Sequence, residues 1–246
     1  MDIRIPSDST GLLQYGIGTR VEAFSTLRDA PLPYPVLQGH QTHDDVVVVV
    51  TDREMTRGDL DGVDALVTRL PDFAIGVRTA DCVPVLLYDP LCRAVAAVHA
   101  GWKGTVKKIA PKTVSVMASE FGTSPSSLLA VIGPSIAPAS FQVGQEVADR
   151  FLEAGFPPSV VMDKGPRGAA PVPLAPATAA PDVTPMRGGL HIDLWDANRW
   201  LLLEAGLAPE HILVAGIDTY VCNDLFFSAR REGISCGRII NAIKLK

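Results

Sequence analysis

Apolar residues fall along this chain in short blocks separated by turn-forming residues. Residues 46–50 are five consecutive valines, the pattern of a strand buried on both faces. Residues Ala65–Thr68 and 75–78 predict two further short strands. Residues 83–88 and 94–98 predict two more, flanking Asp89-Pro90-Leu91-Cys92, which carries a turn signal. Past Gly101-Trp102-Lys103-Gly104 the apolar period lengthens to that of a helix, through Val106, Ile109, Val114, Met117 and Phe121. Pro111 belongs in the first turn of that helix or at a kink in it.

Ser124-Pro125-Ser126-Ser127 reads as a short helical start before a strand at Leu129–Ile132, and a further helix runs from Gln145 to about Glu153. Residues 165–189 are rich in Pro, Ala and Gly and lack periodicity, which predicts an extended surface excursion. Asp193 is placed to cap a helix carrying Leu194, Trp195, Asn198, Leu201 and Leu202, with Gly206 ending it. His191, just ahead of that cap, is expected to face solvent or to support the cap. A strand at Ile212–Val214, a polar and aromatic stretch at 218–231 and a closing strand at 238–243 complete the pattern.

No internal repeat and no linker between two cores interrupts the 246 residues, so 1–246 is expected to form a single layered domain. Hydrophobic residues are 47% and charged residues 20%, enough for a sizeable core. The net charge of −5 comes without a basic stripe, which argues against nucleic acid as a partner. The N-terminus lacks the basic and apolar regions of a secretory signal, and no apolar run approaches the ~20 residues that span a bilayer. A cytoplasmic protein without membrane attachment, monomeric or homodimeric, is the expectation. In that compartment the four cysteines are expected as thiols or ligands rather than disulfides.

The predicted hairpin suggests chemistry. A two-residue loop at Pro90-Leu91 pairs Asp89 with Cys92 and therefore Cys82 with His99. Opposed side chains have Cβ atoms ~4.5–5.5 Å apart, close enough to share one ion. Thiolate and imidazole are preferred ligands of Zn²⁺, and three protein ligands leave a coordination position open for chemistry. A third ligand is available from His40 or His43, just before the valine run, and spacing alone does not choose between them. Cys92, Cys222 and Cys236 read as packing residues.

Two longer motifs carry a resemblance. Residues 78–87, Arg-Thr-Ala-Asp-Cys-Val-Pro-Val-Leu-Leu, and 97–105, Ala-Val-His-Ala-Gly-Trp-Lys-Gly-Thr, are similar to the signature of the laccase-domain family. These proteins are also called YfiH-like, were formerly described as multicopper polyphenol oxidases, and are now known as zinc-dependent purine nucleoside phosphorylases. Gln41-Thr42-His43, the run from Asp61 to Thr68, Gly133-Pro134-Ser135-Ile136 and Phe226 to Arg231 fit the same pattern. The resemblance implies an α+β fold, a layered mixed β-sheet core with flanking helices, placed near the cysteine hydrolases. It implies His43, Cys82 and His99 as metal ligands and Zn²⁺ as cofactor. Its implied reactions are phosphorolysis of adenosine, inosine, guanosine and methylthioadenosine, and deamination of adenosine. Purine nucleosides and phosphate are then the partners. Ser135, Asp218-Thr219 and Ala229 depart from the residues many members carry there.

Further roles follow from residue chemistry. Arg78 is the first candidate for phosphate, because a guanidinium matches phosphate in a bidentate way. Lys103 with the amides of residues 101–105 is a second, and Arg230 is a candidate for lining the pocket. Asp81, beside the cysteine, suits orientation of a ligand, proton transfer, or pairing with Arg78. Three readings compete with the zinc phosphorylase. In the first, Cys82 is a hydrolase nucleophile with His99 as its base. The second is copper-dependent phenol oxidation, with copper the second choice of metal because five histidines are few for a multicopper site. The third is a closed four-ligand site without catalysis.

Overall fold

The structure is a computed structural model that describes residues 1–4, 11–163 and 189–246. Apart from Gly189, the excursion expected at 165–189 lies outside the described residues. Two six-stranded sheets pack face to face. The first has the spatial order Asp2–Arg4, Leu12–Gly16, Val21–Thr26, Ile239–Leu245, Ala74–Thr79, Leu37–Gln38, antiparallel except for its last pair. The second has the order Ile212–Val214, Leu129–Ile132, Val83–Asp89, Ala94–Ala100, Ala65–Thr68, Val47–Val50. It is parallel at both edges and antiparallel between them. A small third sheet joins Gln142–Val143, Leu190–Ile192 and Val161–Asp163.

Strand alternation divides the core in two. Leu66, Leu86, Tyr88, Val95 and Ala97 of the second sheet point at Tyr15, Ile75, Val77, Ile239 and Ile243 of the first. Val83, Val85, Leu87, Ala94, Ala96, Val98 and Ala100 point the other way, beneath helices. The alanines on that face let the helix Ile109–Phe121 approach and bury Ile109, Ala110, Val114 and Met117. The second sheet is thus a middle layer, and all seven residues of each central strand are buried. Each large apolar side chain in this layer contributes about 1.5–3 kcal/mol by leaving water. The mixed α+β architecture with layered sheets and flanking helices agrees with the sequence expectation.

Several details differ. The valine run begins its strand at Val47 and forms an edge of the second sheet, with Val46 41% exposed and only Val50 fully buried. An unbroken apolar run does not distinguish an edge strand from a central one. The predicted single helix after Gly101 is two, Trp102–Val106 and Ile109–Phe121, because Lys108 takes a left-handed φ of 62° between them. Pro111 sits in the first turn of the second. Asp193 caps the helix Leu194–Glu204 by accepting a hydrogen bond from the Asp196 amide at 2.8 Å. His191 is completely buried rather than facing solvent. It lies in the central strand of the small sheet, where its Nδ1–H donates to the Gly189 carbonyl.

The hairpin register also needs correcting. Asp89 faces Ala94, not Cys92, and His99 faces Pro84, not Cys82. Proline's fixed φ suits the unprimed turns rather than the primed turns of two-residue loops. The loop therefore takes four residues, 90–93, and closes with Arg93 at a left-handed φ of 51°. The Asp89 carboxylate accepts from the amides of Leu91 and Cys92 at 2.9 and 3.1 Å. A shift of two residues preserves which face each side chain occupies. Cys82 therefore still lies on the same side of the ribbon as His99, as its diagonal neighbour. No helix among the described residues is long and apolar enough to cross a membrane.

Candidate metal centre

The side chains of His43, Cys82 and His99 converge at the end of the hairpin, at the rim of the space between the two large sheets. Their ligand atoms all lie within 4.8 Å of one another. The group is graded in depth: His43 is exposed, Cys82 half-buried and His99 2% exposed. The two imidazoles meet edge to face, 4.8 Å between centroids and 75° between planes. His40, the other sequence candidate, stays outside the group. It lies at the rim of the same cleft, its Nδ1 bonded to the Asp61 carboxylate and its main chain bridged to Asp61.

Each side chain is held from behind. Asp64, fully buried, accepts from His99 Nδ1 at 2.7 Å. This makes Nδ1 the donor and directs Nε2 toward the cluster. The same carboxylate accepts from the amides of Thr42, His43 and Asp44 at 3.1, 3.0 and 2.9 Å. These bonds hold His43 in its left-handed conformation, φ 63°, which a non-glycine residue adopts at a cost of about 1–2 kcal/mol. One residue therefore positions two of the three side chains. Sequence reasoning did not single out Asp64 as a site residue. Its signal was the Asp61 to Thr68 motif, which places an acid directly before a strand paired with the one bearing His99.

Asp81, at φ 84°, immediately precedes Cys82, which bears the third side chain. Its carboxylate oxygens accept from Thr219 Oγ1 at 2.7 Å and from the Arg230 amide at 2.6 Å. Asp81 thereby ties the turn before Cys82 to the C-terminal segment. Next to it, Asp218 accepts from Ser140 Oγ and from the amides of Ala137 and Tyr220, and Ser135 Oγ accepts from Trp195 Nε1. The departing positions Ser135, Asp218 and Thr219 thus belong to a hydrogen-bonded layer behind the site.

The electrostatics favour a cation among the three side chains. Burial pushes the Cys82 thiol up, but the charge of neighbouring His99 and hydrogen bonds from both imidazoles outweigh it and bring it to about 6. Burial pushes His99 down, but Cys82 and Asp64 prevail and raise it to about 9. A thiolate beside a cationic imidazole is the resulting pair, and the charge that proton carries is one a divalent ion can take over. Gly101 forms the close wall of the same pocket: a Cβ placed there would stand 3.0 Å from Cys82 Sγ and 3.2 Å from His43 Cδ2. The donor set of one thiolate and two imidazoles fits zinc, and thiolate with imidazole also ligates copper.

A cleft of about 630 Å³ opens over these residues, lined also by Gln41, Arg57, Arg78, Thr79, Cys236 and Arg238. Cys236, expected as packing, is therefore a cleft residue. Gln41 clamps the main chain of Arg78, its Oε1 accepting from the Arg78 amide at 2.8 Å and its Nε2 donating to the Arg78 carbonyl at 2.9 Å. Lys103 does not line the cleft, being exposed with its Nζ 5.7 Å from the Trp102 ring centroid. The Arg230 guanidinium turns to the Gln142 carbonyl and the Phe141 ring. Arg78 is thus the one of the three sequence candidates for anion or pocket contacts whose side chain borders the cleft.

Residues 22–246 match the family described as multi-copper polyphenol oxidoreductase laccase. A purine nucleoside phosphorylase of Bacteroides thetaiotaomicron is 41% identical over 212 residues, covering 83% of this chain and 71% of its own. A protein named adenosine deaminase RL5, from an unidentified prokaryote, is 38% identical over 212 residues, covering 84% of this chain and 73% of its own. Among solved structures, the hypothetical protein YfiH of Bacillus licheniformis superposes with a TM-score of 0.81 at 25% identity, covering 99% of each chain.

Proposed function

Because this chain belongs to the multi-copper polyphenol oxidoreductase laccase family, whose similar members include proteins named purine nucleoside phosphorylase and adenosine deaminase, we propose that it is a zinc-dependent purine nucleoside phosphorylase that also deaminates adenosine. The observation that carries the reading is the convergence of His43, Cys82 and His99 within 4.8 Å at the floor of an open cleft. His43 Nδ1 or Nε2, Cys82 Sγ and His99 Nε2 would hold the ion. When bound, zinc supplies a Lewis acid with an open coordination position.

The chain's own residues do the rest. Asp64 sets the tautomer of His99 and anchors the His43 turn, so that the donors stay aimed at one point. Asp81 acts as a positioning residue for Cys82, because its oxygens are already engaged by Thr219 and Arg230. Arg78 offers a half-buried cation to phosphate. The volume of the cleft suits a nucleoside. Adenosine, inosine, guanosine and methylthioadenosine are the expected substrates.

The test is incubation of the zinc-loaded protein with adenosine or inosine, with and without phosphate. Ribose 1-phosphate that forms only when phosphate is present supports phosphorolysis, and inosine formed from adenosine supports deamination. Both are lost in a folded Cys82→Ala variant. The depressed thiol of Cys82 beside His99 also suits a nucleophile, and that reading expects hydrolase activity that survives removal of the metal.

A further inference from the structure

The cleft above the candidate metal centre gathers three arginines from distant parts of the chain. Arg57 comes from the single turn Arg57–Asp59, Arg78 from the end of the strand Ala74–Thr79, and Arg238 from the residue before the strand Ile239–Leu245. The last two are brought together by sheet pairing, since Thr79 faces Ile239 and Arg78 faces Ile240.

Two of the three are held by hydrogen-bond partners, and none of those partners is an acid. Gln41 clamps the Arg78 main chain at both its amide and its carbonyl. The Arg238 guanidinium donates to the carbonyls of Ile234, Cys236 and Gly237, which fixes its plane. Among the described residues none of the three arginines forms an ion pair with a carboxylate, whereas Arg4 and Arg28 do. Scarcity of acids is not the reason, because the chain has 27 Asp and Glu against 22 Lys and Arg. Burial and the fields of Arg57 and Arg238 both act against the charge on Arg78, so the cluster opposes itself in the free protein. Guanidinium groups do not shed their proton, which leaves an external anion as the means of neutralising them.

We propose that Arg57, Arg78 and Arg238 form the binding site of a phosphate dianion beside the metal centre. Three guanidinium groups lining one cleft suit a tetrahedral oxyanion, with Arg57 the most exposed of them and Arg238 keeping only the donors its carbonyl contacts leave free. The proposal rests on the reading of the cleft as a nucleoside phosphorylase site and deepens it. Held there, a phosphate oxygen forms the new bond to the ribose C1′ while the bond from C1′ to the purine nitrogen breaks. The electron pair leaves with the purine, and the proton of hydrogen phosphate balances the departing base. No further reactant is required.

Calorimetric titration of the zinc-loaded full chain with inorganic phosphate, in chloride buffer, tests the site without turnover. The wild type saturates, and Arg57→Gln and Arg238→Gln each weaken binding by about tenfold or more, as expected for loss of a charge-assisted contact. Arg57 is exposed, so Arg57→Gln carries the test if Arg238→Gln fails to fold. Non-saturable phosphate binding, or binding indifferent to both substitutions, overturns the proposal. A nucleoside 5′-monophosphate titrated in parallel separates the sources of the anion: saturation by the nucleotide but not by inorganic phosphate also overturns it. Steady-state assays separate this proposal from the one it rests on. Phosphate that binds through the arginines without yielding ribose 1-phosphate sinks the phosphorylase reading and leaves the anion site standing. Ribose 1-phosphate formed with an unchanged phosphate KM in both variants sinks the anion site alone.

Discussion

Asp64 and His99 share a 2.7 Å hydrogen bond between side chains that are 0% and 3% exposed. Burial pushes the Asp64 carboxyl up, but the bond from His99 and the amides of Asp44 and Thr42 hold it below the usual carboxylate range. It therefore remains an acceptor for the imidazole behind the proposed zinc ligand. Asp64→Asn keeps the shape and removes the charge. Zinc affinity is expected to fall by about 10–100-fold, the usual effect of losing such a partner, measured by competition with a chromogenic chelator. Unchanged affinity in a folded variant would show that Asp64 serves the fold alone.

Gly101 tests whether the pocket is as tight as its geometry indicates. In Gly101→Ala the new methyl would stand 3.0 Å from Cys82 Sγ and 3.2 Å from His43 Cδ2, so one of the two must move. The backbone there is extended, φ −62°, and accepts alanine without strain. The expected result is weaker zinc binding with far-ultraviolet circular dichroism unaltered. Wild-type affinity would mean that the two side chains relax freely.

Metal removal should be read out as stability. A ligand bound only by the folded chain stabilises it by about 4 kcal/mol at a thousandfold excess over its dissociation constant. Differential scanning calorimetry of wild type with zinc and with chelator should show a clear drop in Tm. Cys82→Ala should show little difference between the two conditions. An equal drop in the variant would place the stabilising ion elsewhere.

Asp89 carries an acid dependence unrelated to the metal. Burial raises its carboxyl, but the Thr123 hydroxyl and the amides of Cys92 and Leu91 more than offset this and leave it lowered. A depressed carboxyl contributes stability that is present above its unfolded value, about 3.9, and is lost as pH falls through its folded value. Urea unfolding should show Asp89→Asn destabilised by about 1–3 kcal/mol at pH 7, with the gap to wild type closing toward pH 3. A gap constant with pH would remove the ionised carboxylate from the account.

Thr219 tests the support of Asp81. Thr219→Val preserves shape and withdraws the hydroxyl that donates to Asp81 at 2.7 Å. A loss of about 1–3 kcal/mol in stability is expected from the unpaired acceptor. If Asp81 positions Cys82, kcat falls in the same variant while nucleoside KM stays. A stability loss with kcat intact would confine Asp81 to the fold.

The elements most legible in the sequence were those whose signal is local. Alternating or continuous apolar runs marked the strands Ala65–Thr68, Leu129–Ile132 and Ile212–Val214 within a residue or two, and Asp193 and Gly206 bounded their helix because capping is a property of a few adjacent residues. The N-terminal strands and the small third sheet were not read, although Leu12–Gly16 and Val21–Thr26 are as long as strands that were. Strands of two or three residues, such as Asp2–Arg4 and Gln142–Val143, carry too little periodicity to stand out and exist through their partners.

For the site, the sequence by itself determined the chemistry on offer: a thiol and imidazoles in motifs whose parity places Cys82 and His99 on one face of a ribbon. That inference survived an error of two residues in register because the side-chain period of a strand is two. Spacing left His40 and His43 open and the family resemblance pointed to His43; the tertiary structure supplies the physical reason, since the turn of His43 and not that of His40 is held by three amides that converge on Asp64. It alone gathered Arg57, Arg78 and Arg238 around one cleft, and it alone turned Lys103 and Arg230 away. Residue types and spacing constrain neighbours within an element, whereas the direction of a side chain across a cleft depends on how separate elements pack. No local pattern encodes that packing.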